Sequence, residues 1–374
     1  MNFFLHDMPQ PQPVLAILTM DDQTRPFRGN HVNFIDLIRT GREMGVFVVV
    51  ATVRDIKLAN RRINCYLYHP ETKTWSQRLL PLPRVFYNRI PSRKDELQPE
   101  VQQTIRSLLR HPQTNLFNPY FFNKVSLFEW ITKAKETRKF VPATKKLDSL
   151  KDLQTALRNH DTIYLKPARG KAGSGIMRIE KTNTGGKPSF RISMQNDNRA
   201  LVTQQGTLSG LWEQLKETIK TEDYILQQGI ALASHQNRPF DLRVLMQKNG
   251  QGNWTLTGIG ARVAGKRSIT THVPRGGSID EPGRLLAASF GKDQAAVLLR
   301  RVKRAAGRIA KQIEKASGHP LGEMSMDLGI DTAGHIWFFE ANSRPMKFDE
   351  PDIRQRSLEH IIQYALYLSR QRKP

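Results

Sequence analysis

Two stretches of the chain carry side chains whose types and spacing could do chemistry. The first runs from Tyr164 to Gly175 and contains Lys166, Pro167 and then glycines at 170, 173 and 175. Glycines so placed let successive backbone N–H groups approach phosphate oxygens without a Cβ in the way. Lys166 could reach the same phosphates as a point charge. The order is neither a Walker A motif, since no Gly-Lys-Ser/Thr opens a helix, nor G-x-G-x-x-G. A glycine-rich hairpin turn beside an ordinary surface lysine is the competing reading.

The second stretch is Glu323 to Asn342, read as two strands, Glu323–Ile330 and Ile336–Ala341, joined by Asp331-Thr-Ala-Gly-His335. If Asp331 faces Ile336, then Ile330 faces Trp337 and Asp327 faces Glu340. Directly opposed carboxylates repel one another, and Asn342, two residues beyond Glu340, falls on the same face of its strand. Two carboxylates and an amide on otherwise apolar strands call for compensation. Magnesium, which takes carboxylate oxygens together with substrate phosphate, would supply it. A register slipped by one residue, or pairing of one acid with Arg344, is the alternative.

The elements that must position these groups follow from periodicity. Residues 1–118 read as an α/β unit: a buried strand at 14–18, a helix at 33–44 ended by Gly45, a strand at 46–50, a hairpin over 63–68 and 75–80, and a short strand at 85–87. No G-x-G-x-x-G follows the first strand, which argues against a dinucleotide there. Pro112, Asn115, Asn118 and Pro119 mark a boundary. Beyond it, helices are expected at 126–139, 147–159, 293–317 and 353–370. Strands are expected at 162–166, 176–180, 224–227, 242–247 and 254–262. In the long helix Leu298, Val302, Ala305, Ile309 and Ile313 form the apolar stripe.

The 374 residues are 39% hydrophobic and 25% charged, with a formal net charge of +24. That balance supports a sizeable core and two or three domains, and it favours acidic partners. One cysteine, Cys65, excludes an intramolecular disulfide and a Cys-based zinc site. The start of the chain lacks a basic region followed by an apolar core, and no apolar run is long enough to span a bilayer, so a soluble cytoplasmic protein is expected.

Taken together, Lys-Pro with its glycine loop, Gln227-Gln-Gly-Ile230, Asp241-Leu-Arg243, Arg262, Gly276-Gly277, Asp327 and Glu340-Ala-Asn342 stand in the order in which the ATP-grasp superfamily arranges them. The chain resembles the YheC/YheD-like ATP-grasp proteins of endospore-forming bacteria over roughly residues 119–374. The resemblance implies an α+β ATP-grasp fold, in which two α+β subdomains clasp ATP, preceded by a small α/β domain at 1–118. The lid subdomain would cover approximately 160–228.

By position, the resemblance makes Lys124 and Lys166 the nucleotide lysines and Gly170, Gly173, Ser174 and Gly175 part of the lid loop. It makes Gln228, Gly229 and Ile230 the hinge beside adenine. Arg243 and Arg262 would stabilise the transferring phosphate or an acidic substrate. Asp327, Glu340 and Asn342 would hold two Mg2+ ions, Glu340 bridging. The implied activity is an ATP-dependent carboxylate–amine ligase acting through an acyl phosphate on a carboxylate-bearing substrate.

Two departures touch the acceptor side. Asn342-Ser-Arg-Pro-Met346 replaces the Asn-x-Ser-Pro-Gly of many such ligases, and His272 stands near where they carry asparagine. A spore-coat-associated protein that binds nucleotide without turnover therefore stays open, as do anionic-polymer or coat partners. Asp327-Leu328-Gly329 evokes a kinase motif, but a catalytic His-Arg-Asp loop is missing and the lysine precedes the glycines. Residues 292–318 hold eight Lys/Arg against two acids. With no aromatic-laced base-reading motif beside them, nucleic acid is disfavoured.

Overall fold

The computed structural model describes residues 12, 14–168, 175–196, 199–220, 223–266, 268–271, 273 and 276–371. The N-terminal part contains β1 (Leu15–Thr19), α1 (His31–Glu43), β2 (Val48–Thr52), β3 (Arg62–His69), β4 (Thr74–Pro81), β5 (Val85–Asn88), α2 (Arg93–Glu96), α3 (Pro99–Arg110) and β6 (Asn115–Phe117). The middle part contains α4 (Lys124–Lys133), α5 (Lys135–Arg138), β7 (Thr144–Lys146), α6 (Leu150–Asn159), β8 (Thr162–Pro167), β9 (Met177–Thr184), β10 (Lys187–Asn196), β11 (Arg199–Gln205), α7 (Leu208–Ile219) and β12 (Tyr224–Gln228). The last part contains β13 (Ser234–His235), β14 (Arg238–Lys248), β15 (Trp254–Val263), β16 (Ser278–Asp280), α8 (Pro282–Phe290), α9 (Lys292–Ser317), β17 (Glu323–Ile330), β18 (Ile336–Asn342) and α10 (Pro351–Arg370).

Three sheets result. The first has the order β4-β3-β2-β1-β5-β6, with β2, β1, β5 and β6 parallel. Its central strands read as continuous apolar runs because both faces are covered. Leu15, Ile17, Val48 and Val50 pack against α1 and, from the other end of the chain, Leu358, Ile361 and Ile362 of α10. Ala16, Leu18, Val49 and Ala51 pack against Val101, Ile105 and Leu108 of α3.

The second sheet, β11-β10-β9-β8-β12-β7, is antiparallel throughout and packs one face on α6 and α7. The third, β16-β15-β14-β17-β18 with β13 against β14, sets Leu242, Val244, Met246, Met324, Met326 and Leu328 against α9 and α4. All five apolar residues expected in the α9 stripe are in that core. Because side chains alternate along a strand, the other face of this sheet receives Asp241, Arg243, Arg262 and Asp327, whose positions are set by direct cross-strand pairing.

Two expectations need correction. The helix anticipated at 126–139 is two helices, because Ala134 is extended (φ −99°, ψ 133°) and ends α4 before α5 begins. The Thr137 hydroxyl then donates to Ile131 O at 2.6 Å and holds the break. In the β17–β18 hairpin, Ile330 faces Ile336 rather than Trp337, one residue off the expected register. A bulge between Asp327 and Leu328 leaves Phe339 without an opposite number and returns the ladder to register, so that Asp327 does face Glu340 and Ser325 faces Asn342.

Candidate functional site

The polar face of the third sheet and one face of the second enclose a cavity of about 300 Å³. Tyr164 and Lys166 enter it from β8, two residues apart and so on one face. Arg178 comes from β9, Gln227 and Gln228 from β12, Lys124 and Phe128 from α4, and Asp241, Asp327, Phe339 and Glu340 from the third sheet. Ile230 lines it as well. The bulge explains how Phe339 and its chain neighbour Glu340 both reach the cavity, since a regular strand would send them to opposite faces.

The cations sit above the acids. Lys124 begins α4, whose N-cap Asn123 accepts from Val125 N and Ser126 N, and its Nζ lies 3.6 Å from Glu340 Oε2. Lys166 Nζ donates to Gln227 Oε1 at 2.5 Å and lies 5.3 Å from the centre of the Phe339 ring. Burial, reinforced by the neighbouring Lys124 charge, pushes Lys166 down to about 8, against the upward pull of Glu340, Asp327 and Asp241.

Below them Arg262 joins two carboxylates. Its Nε and Nη2 donate to Asp241 at 2.9 and 2.6 Å, and Nη2 lies 2.9 Å from Asp327 Oδ2. All three side chains are buried. Burial alone would lower the guanidinium's pKa, but the two carboxylates outweigh it and raise it. Asp241 also accepts from Thr271 Oγ1 at 2.7 Å.

Of the residues singled out in the sequence, Lys124, Lys166, Gln228, Ile230, Asp327 and Glu340 line the cavity, while Gly175, Gly229, Arg243, Arg262 and Asn342 do not. Gly170, Gly173, Ser174 and His272 lie outside the described residues. Gly229 is a packing position: a Cβ there would meet Thr162 O at 2.7 Å, and its N–H donates to that same oxygen. Gly175 has φ +71°, and a Cβ would lie 2.9 Å from Pro167 Cγ, so glycine is required there twice over. Arg243 faces Asp327 across the ladder, but its guanidinium lies 5.1 Å from the Phe348 ring and, among the described residues, its buried Nε has no hydrogen-bond partner.

Sequence reasoning passed over Tyr164, Arg178, Asp241 and Phe339 as lining groups. The available signal was the i, i+2 spacing of Asp241 from Arg243; nothing local marked Tyr164, Arg178 or Phe339 as facing a cavity. Arg344, offered as an alternative partner for the acids, points away from them and is buried against Glu96 and Pro119 O.

Among the described residues no three His, Cys, Asp or Glu side chains gather closely enough to cage a metal. Magnesium seldom uses such a cage; it takes one or two carboxylates and completes its shell with phosphates and water. Two acids directly opposed at the rim of a phosphate-sized space, with Glu340 partly exposed, fit that mode. Arg262 already offsets part of the charge on Asp327.

The comparisons agree with this architecture. Residues 113–368 match the family model described as YheC/D like ATP-grasp. The chain is 30% identical over 357 residues to the endospore coat-associated protein YheD of Bacillus subtilis (strain 168), covering 92% of this chain and 76% of that protein. It is 23% identical over 310 residues to the endospore coat-associated protein YheC of the same strain, covering 83% and 84%. Among solved structures, the ATP-grasp ligase PsnB complexed with a phosphomimetic variant of a minimal precursor, Mg and ADP superposes with a TM-score of 0.52 at 10% identity, covering 96% of this chain and 99% of that one. At that identity the likeness speaks for the fold. The fold is α+β of the ATP-grasp type, no helix among the described residues is long and apolar enough to cross a membrane, and the chain belongs to the YheC/D-like ATP-grasp family.

Proposed function

We propose that the protein is an ATP- and magnesium-dependent carboxylate–amine ligase. One observation carries this reading: Lys124 and Lys166 line the same cavity as the directly opposed Asp327–Glu340 pair, which sets cations for phosphate beside acids for metal. In the reaction, a substrate carboxylate oxygen attacks the γ-phosphorus of ATP and expels ADP, giving an acyl phosphate. An amine nitrogen then attacks the acyl carbon, phosphate leaves, and the nitrogen loses a proton. This chemistry is mainly positioning and charge neutralisation.

Lys124 and Lys166 would hold the nucleotide phosphates, joined by the glycine loop at 170–175. Residues 228–230 would lie along the base. Arg243 and Arg262 would stabilise charge on the transferring phosphate or on an acidic substrate. Asp327, Glu340 and Asn342 would hold magnesium, whose contribution when bound is to neutralise phosphate oxygens. In this reading residues 119–374 form the clasp, with 160–228 as its lid, and 1–118 the preceding domain. The names of the two relatives support a place in or near the spore coat.

A second reading is nucleotide binding without turnover. What favours it is Arg262, which already engages both Asp241 and Asp327 and leaves Asp327 less free to bind metal. ADP release from Mg·ATP, screened over paired carboxylates and amines, separates the two. Ligase activity predicts release that depends on both substrates and drops at least about 100-fold, the scale of losing a key electrostatic contact, in Asp327→Asn and Glu340→Gln. A melting shift with Mg·ATP but equal background release in all three proteins would establish the binding role instead.

A further inference from the structure

Helix α9 carries a charge pattern that the nucleotide cavity does not use. Eight lysines and arginines between Lys292 and Ser317 stand against Asp293 and Glu314. Glu314 is engaged elsewhere, accepting from Lys248 Nζ at 2.5 Å and from Trp254 Nε1 at 2.8 Å. Arg300, Arg304 and Arg308 repeat every four residues and share one exposed stripe, an arrangement of like charges that disfavours the helix unless something acidic answers it.

The basic residues also line a concavity, which an ordinary solvated face does not. Arg301, Arg304 and Arg308 form one wall of a cleft of about 370 Å³. Lys139 and His335 form the other wall, and Phe140, Ala305 and Ile336 supply an apolar floor. Among the described residues, none of Lys139, Arg301, Arg304 and Arg308 makes an ion pair with a carboxylate. Asp331, on the same hairpin turn as His335, has both oxygens occupied by Ala333 N, His335 N and Trp337 Nε1. The walls are tied together in advance: His335 Nε2 lies 2.9 Å from Lys139 O, Phe338 N–H donates to Phe140 O at 2.6 Å, and Gln312 Nε2 donates to Trp130 O at 2.7 Å.

We propose that this cleft is a docking site for an acidic peptide segment. Guanidinium forks match carboxylates in a bidentate geometry, and the chain's overall positive charge steers an acidic partner toward it. A cleft of this volume suits a single extended chain better than a duplex. Phe140 is buried and the His335 ring is turned edge-on to Trp337, so no open aromatic platform awaits nucleic-acid bases. The apolar floor suits side chains interspersed among the acids. Strand β18 begins in this cleft at Ile336 and reaches the nucleotide cavity at Glu340, roughly 13 Å along the strand. The inference does not depend on ATP turnover.

The experiment is fluorescence anisotropy with a labelled oligo-glutamate peptide at low salt, with polyphosphate and a single-stranded oligonucleotide of equal charge as competitors. The full chain is compared with the triple variant Arg301→Glu, Arg304→Glu, Arg308→Glu and with a charge-matched control, Lys57→Glu, Arg61→Glu, Arg78→Glu, on the N-terminal unit. Salt-sensitive binding that weakens at least about ten-fold in the cleft variant but not in the control is expected, with the Mg·ATP melting shift unchanged. If the triple variant does not fold, Arg301→Gln with Arg304→Gln carries the same expectation. Absence of binding, equal loss in the control, undiminished binding by the cleft variant, or tighter binding of polyphosphate or oligonucleotide through the same arginines would overturn the proposal.

Discussion

Lys166 sits where its charge is held at a cost, and that makes it the most sensitive single position in the cavity. Burial and Lys124 bring it to about 8, so it is charged below that pH and neutral above it. A phosphate group favours the charged form and raises the pKa again on binding. Under the proposed function, nucleotide affinity should therefore be fully developed below about pH 8 and fall as pH rises, by roughly ten-fold per pH unit beyond it. Calorimetric titration of Mg·ATP at pH 7 and pH 9.5 should show this loss. In Lys166→Met binding should be weaker at neutral pH and nearly flat across that range. At this scale the sequence was informative where residue type is itself chemical: lysine before glycines, and two acids on apolar strands. Arg178 and Tyr164 were not legible, because an arginine or tyrosine in a half-buried strand reads alike whether it faces water or a cavity. Asp241 could be placed in a motif, but its capture of Arg262 depends on the β14–β15 pairing, which no local pattern reveals.

Among the elements, the β17–β18 hairpin and the segment after it do most of the positioning. The strands themselves were legible from their apolar content, and the turn from Asp331 to His335. The bulge was not, since it depends on how Phe339 packs against Gly329, where a Cβ would meet the Phe339 ring at 2.5 Å. Removing Phe339 should leave a regular ladder that keeps Asp327 opposite Glu340 while stripping the aromatic wall beside Lys166. We expect that deletion variant to fold and to lose nucleotide affinity without losing the carboxylate pair, which a crystal structure of the variant would display. The polar strands β10 and β11 also escaped the sequence pattern, because Lys, Ser, Arg, Gln and Asn interrupt the apolar residues that would mark a face; helix α7 was passed over although Leu208, Leu211, Trp212, Leu215 and Ile219 recur at helical spacing. Immediately beyond the hairpin, Arg344 donates to Ile90 O at 3.0 Å, to Glu96 and to Pro119 O, and its guanidinium lies 4.1 Å from the Phe121 ring. Burial brings it down to about 10 despite the Glu96 carboxylate. Replacing it by Met strands Glu96 without its counter-charge. The expected loss is about 3–5 kcal/mol in urea unfolding, with much of it recovered in the double variant that also carries Glu96→Gln.

At the scale of the whole molecule, the notional boundary near residue 118 is a seam of buried contacts. Asn118, at φ +56°, accepts from Gly322 N and Glu323 N and donates to Glu323 O and Ser343 O. Tyr87 of β5 and Arg89 just beyond that strand reach Glu323 across the same seam. Helix α10, the last element in the chain, packs Ile361, Ile362 and Ala365 into the core of the first sheet, while Ile353 fills the space above Gly258 of the third. Truncation before Pro351 should thus expose both cores and yield an aggregating product. Intact protein should show the first and third sheets melting in one calorimetric transition, and two separable transitions for them would contradict this packing. The consequence of the seam concerns motion. Glu340 lies four residues from Arg344, which is anchored in the N-terminal unit, so the acids cannot travel without dragging that unit along. If the protein binds nucleotide as proposed, any opening of the cavity would have to come from the sheet bearing Lys166, with the carboxylates as the stationary jaw.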